Sequence, residues 1–138
     1  FAAADHLVQS LEPRMVLEMV LRHWVQLTAK YPEVGMIMQQ EAGSNSPRLE
    51  WLVEKHLRPT QSRTANLLEK AQQDGLIKTI PVQHLIPIIT GAVRFFFSSG
   101  PYIKSIYEVD VNDPTVIRNH ADYIVDILLN GLLLPAGK

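Results

Sequence analysis

No cysteine occurs among the 138 residues. Disulfides and thiolate metal sites are thereby excluded, and the composition suits a cytoplasmic protein. Charge of one sign is missing too: 13 basic residues meet 14 acidic ones, for a net charge of −1. Such a balance gives no electrostatic reason to expect nucleic acid or an anionic membrane as a direct partner of this segment. Long apolar runs are absent. Residues 123–134 are interrupted by Asp126 and Asn130, well short of the roughly 20 residues that a membrane span requires. The first residues, Phe1 to His6, lack the basic flank and apolar stretch of a signal peptide. They also lack a starting Met, so the chain reads as cut from something longer.

Catalytic and metal-binding signatures are equally scarce. There is no Gly-rich phosphate loop, no nucleophile elbow and no Cys–His pairing. The five histidines, His6, His23, His56, His84 and His120, show no i, i+4 or HExxH spacing. Glu108, Asp110, Asn112 and Asp113 crowd one loop, but their spacing does not match a calcium loop. The expectation is a protein that is not an enzyme and has no metal, no cofactor and no catalytic residue. His56 and His120 fall on largely apolar helix faces, where hydrogen bonding inside a core or pocket is expected.

What the chain does contain is helical periodicity, with 46% hydrophobic residues and no strand-like alternation. Residues 2–11 read as the end of a helix. From Pro13 a second helix keeps Arg14, Glu18, Arg22, Gln26 and Lys30 on one edge and Leu17, Leu21, Trp24 and Val25 opposite. Pro32 restarts a shorter helix that ends near Gly43. Ser46 is an N-cap with Pro47 as first helical residue. The next helix sets Leu49, Leu52, Val53, His56 and Leu57 on one face and is expected to kink or break at Pro59. Its pattern resumes to Gly75, a C-cap glycine followed by Leu76. Pro81 begins another helix, bent at Pro87. Between Thr90 and Ser98 only Arg94 is charged. Residues 102–107 form a short turn, and Asp113-Pro114 caps a last helix running to Leu134.

The last helix confines its polar residues to one stripe, Arg118, Asp122, Asp126 and Asn130, and is apolar elsewhere. The helix from Pro81 is also apolar on more than one face. A small domain has one core, so two such helices require a second cover, and a second copy of the chain is expected. The residues expected at that interface are Ile89, Val93, Phe97, Ile117, Ile124, Leu128 and Leu132. A central position in a monomeric bundle is the rival reading. Methionines and aromatics cluster on the remaining surfaces. Met19, Trp24, Met36, Met38, Trp51, Phe95 and Phe96 are the candidates to line a pocket for an apolar ligand, with core packing as the plainer alternative. Trp51 lies off the Leu49–Leu57 face, so that seam does not need it.

Several segments together resemble the C-terminal regulatory domain of TetR-type (tetracycline-repressor-like) transcription regulators. They are Arg22-His23-Trp24-Val25 to Tyr31-Pro32-Glu33, Glu41 with Ser46-Pro47-Arg48-Leu49, and Leu57-Arg58-Pro59. Ala71 to Ile77, Gly91-Ala92, and Tyr123-Ile124 through Leu132 continue the likeness. The resemblance implies an all-α helical bundle of about five main helices, with residues 1–138 forming one regulatory domain. It implies that Pro81–Ser98 and Pro114–Leu133 build a four-helix dimer interface. It further implies an effector pocket among the earlier helices and a helix-turn-helix DNA-binding domain that this chain does not contain. No ligand-contacting residue is carried over from it. The function expected is sensing of a small hydrophobic effector by a cytoplasmic homodimeric repressor. The rival readings are a dimerisation module without ligand and a small helical enzyme.

Overall fold

A computed structural model describes residues 11–134. The helix expected over residues 2–11 lies, but for Leu11, outside them. Within the described residues the fold is all-α. The helices are α1 (Pro13–Lys30), α2 (Pro32–Ala42), α3 (Pro47–Leu52), α4 (Arg58–Gln73), α5 (Val82–Ser98), α6 (Gly100–Tyr107) and α7 (Pro114–Leu132).

Local chemistry sets the boundaries. Ser46 accepts a hydrogen bond from the Leu49 amide (3.3 Å), and Asp113 accepts one from the Thr115 amide (2.8 Å). Each cap is followed by a proline whose missing N–H costs nothing in the first turn. Gly75 closes α4 at φ +73°. There the Leu76 amide reaches the Ala71 carbonyl (3.0 Å) and the Gly75 amide reaches that of Gln72 (3.1 Å), the paired bonds of a Schellman motif.

Pro59 does not break its helix. A π turn over Val53–Leu57 joins α3 to α4, and the Arg58 amide bonds back five residues to Val53. A wider turn absorbs the ring that would collide with the preceding carbonyls, so the chain continues without a break. The extra residue also turns His56 outward, where it meets the exposed Trp51 edge to face at 5.2 Å. His56 is therefore a surface residue, contrary to its expected place in a core or pocket. Pro87 likewise sits inside an uninterrupted α5.

Helix α5 is central, touching α1, α2, α4, α6 and α7, while α1 packs most extensively along α7. Leu17, Leu21 and Val25 of α1 join Leu85, Ile89, Val93 and Phe97 of α5 and Ala121, Ile124, Val125 and Leu129 of α7 in one core. Arg22 crosses from α1 to Asp122 of α7 at 2.7 Å and also holds Glu18 at 3.2 Å. The Asp122 hydrogen bond is the main cause that raises the Arg22 guanidinium above its ordinary pKa. Below the core, the chain after α7 pairs with the α4–α5 connection: Leu134 donates to the Leu76 carbonyl (3.1 Å) and Lys78 donates to that of Leu132 (3.0 Å). Among the described residues no helix is long and apolar enough to cross a membrane.

Candidate ligand-binding cleft

Helix α2 is short and packs on α5. A Cβ on Gly35 would lie 2.8 Å from the Ser98 hydroxyl, so the missing side chain is what lets the two backbones come together. The π turn and α4 form the opposite wall, and a cleft of about 1270 Å³ opens between α2, the π turn with α4, and α5. Drug-sized ligands occupy sites of roughly 300–1,000 Å³, so the cleft has room for one.

Its walls are mostly apolar: Met36 and Met38 from α2, Val53 and Leu57 from the π turn, and Ile86 and Phe95 from α5. The π turn gives the cleft its far side, because it brings Val53 and Leu57 half-buried to this face. Gln39, Gln61, Ser62, Thr90 and Ser98 supply scattered polar atoms, and Arg58 and Arg94 are the charged members. Arg58 is occupied, bonded to Glu54 at 2.8 Å. Arg94 forms no ion pair among the described residues. Partial burial pulls its guanidinium below its ordinary pKa, and among the described residues no carboxylate offsets the desolvation. The Ser98 hydroxyl, one turn further along α5, is buried without a hydrogen-bond partner among the described residues. Buried polar groups normally find partners, so this corner of the cleft is polar and unsatisfied.

The seven residues expected to line a pocket divide. Met36, Met38 and Phe95 line this cleft. Met19 and Trp51 are about half exposed elsewhere, and Trp24 packs against the core. Phe96 faces away and stacks on His120 at 3.9 Å and 12°. Residue type, without helix phase, brought the aromatic and sulfur side chains together. Arg94 and Ser98 were not anticipated. The sequence did hold a signal for Arg94: no acid stands three or four positions from it, so no helical ion pair was available. A smaller depression of about 420 Å³ near His23, Lys30 and Ile117 lies on the α1 side. It has no comparable apolar wall.

The expected interface residues also divide. Ile89, Val93, Phe97 and Ile124 are buried in the chain's own core. Ile117, Leu128 and Leu132 are partly buried against it. On these helices the apolar side chains open to solvent are Ile88 and Phe95 of α5 and Tyr123 and Ile127 of α7, the last 71% exposed. Among the described residues no cluster of histidine and carboxylate groups could hold a metal ion. His120 is held between Phe96 and Phe97, its Nε2 buried and unpartnered among the described residues, and burial lowers its pKa.

Residues 13–128 match the family model described as tetracyclin repressor-like, C-terminal domain, and the chain belongs to that family. No curated protein matches the chain.

Proposed function

We propose that this chain is the effector-sensing and dimerisation domain of a TetR-type transcriptional repressor. In this reading the cleft between α2, the π turn with α4, and α5 takes a small ligand of largely apolar character. Binding shifts the balance between two arrangements of the domain, and so between two spacings of helix-turn-helix DNA-binding heads carried outside residues 1–138. The protein works in the cytoplasm as a homodimer.

The observation that carries the reading is the cleft itself: its apolar walls, its size and its position against α5. Helix α5 lines the cleft and packs against α7, whose Tyr123 and Ile127 are exposed, so a ligand in the cleft bears on a partner seated on α7. Family membership supports both assignments.

Native mass spectrometry of the chain tests the proposal. The expected result is a dimer, part of it carrying additional small-molecule mass. Ile127→Asp should give a folded monomer, because Ile127 contributes little to the chain's own core. A wild-type monomer, or a variant that remains dimeric, would refute the interface.

A further inference from the structure

We infer that the ligand of the cleft is an acid: a molecule with an apolar tail and a carboxylate that pairs with Arg94. The inference rests on the cleft being the effector site and adds the chemical class of its occupant.

Arg94 is the observation that forces the question. It enters the cleft from the central helix, partly withdrawn from water, with no ion pair among the described residues. The other charged residue of the lining, Arg58, already has Glu54. Aspartate and glutamate are missing from the lining altogether. A partly buried positive charge without a counter-charge is costly and calls for an anion. A guanidinium offers a planar fork of donors that a carboxylate matches with two parallel hydrogen bonds. The Ser98 hydroxyl, buried and unpartnered among the described residues, lies one turn from Arg94 and keeps this corner polar. Gly35 sits over both residues, its Cβ position 2.8 Å from the Ser98 Oγ and 3.9 Å from the Arg94 Cδ, so α2 roofs this corner. Met36, Met38, Val53, Leu57 and Ile86 leave the rest of the cleft suited to hydrocarbon. One end is cationic and the remainder apolar, which describes an amphipathic acid.

A carboxylate can come from a small acid or from a side chain of a second copy of the chain, and one set of measurements separates the two. Octanoic acid, 1-octanol and octylamine share a tail and differ in head group. Each is titrated at neutral pH into the ¹⁵N-labelled chain, following the amides of Gly35, Thr90 and Ser98 and the Arg94 Nε–H. Octanoate should bind about tenfold or more tighter than octanol, with octylamine weakest. Arg94→Gln should bring octanoate down to the level of octanol, and Arg94→Lys should recover part of the difference. Equal affinity for octanoate and octanol would overturn the acid while leaving the cleft as an apolar site. No response of the cleft amides to any of the three would overturn the cleft reading and the acid together. If Arg94→Gln without any added acid shifts the sedimenting species from dimer to monomer, the carboxylate belongs to the second copy and the small acid is overturned.

Discussion

The two sides of α5 are packed differently. On the α1–α7 side, apolar residues interlock: Val25 and Val93 are fully buried, and Leu21, Phe97, Ala121 and Val125 close around them. On the α2–α4 side the apolar side chains are fewer, and they stand apart. Helix α2 buries only Gly35, and neither α3 nor the π turn buries any residue. Met36 and Ile37 are more than half exposed. Apolar residues on a helix do not by themselves make a core. A core needs side chains in register on facing helices, as in the long α1–α7 seam. A short helix and a π turn that bury almost nothing leave a gap instead. One half of the molecule carries the stability and the other keeps a space open.

The sharpest break in this comparison comes from truncating one apolar residue on each side. Phe97→Ala should cost about 3–5 kcal/mol, since it removes a buried ring from a close-packed site. Leu57→Ala should cost only about 1 kcal/mol, because the half-buried side chain leaves a wall of the cleft and not a filled core. Urea unfolding midpoints at a common slope measure both. Equal losses would mean that the two sides are packed alike.

A smaller effect sharpens the closed side. His120 lies in the Phe96–Phe97 slot and is kept neutral by burial, its pKa lowered from the ordinary 6.5. The unfolded chain binds a proton there more readily than the folded one. The neutral histidine's contribution is therefore intact above pH 6.5 and is lost as pH falls from that value through the depressed folded one. His120→Phe should remove this part of the pH dependence of thermal stability. An unchanged profile in the variant would show that the slot does not hold the imidazole neutral.

Local features were legible in the sequence. The caps at Ser46 and Asp113, the proline first turns and the Gly75 stop each depend on a few neighbouring residues, and the family-like order of segments depends on these same junctions. What escaped depended on phase and on distant packing. A π turn at Val53–Leu57 has no local marker beyond Pro59, so a kink or break was expected and His56 was turned to the wrong side. The two-sided apolarity of α5 and α7 was visible, but the partition between own core and open surface was not. It follows from the depth at which α1 covers them. Arg94 appeared in the sequence as a lone charge in an apolar helix, and only the absence of acids along the cleft gives it meaning.

Amide hydrogen exchange of the free chain tests the central claim most directly, because it reads the two sides of α5 in one experiment. The account predicts slow exchange in α1, the inner turns of α5 and α7, with Val25, Val93 and Val125 among the slowest. It predicts markedly faster exchange in α2 and through the π turn at Val53–Leu57. Uniform protection across α1, α2, α4 and α7 would contradict it, because the cleft side would then be as firmly packed as the seam.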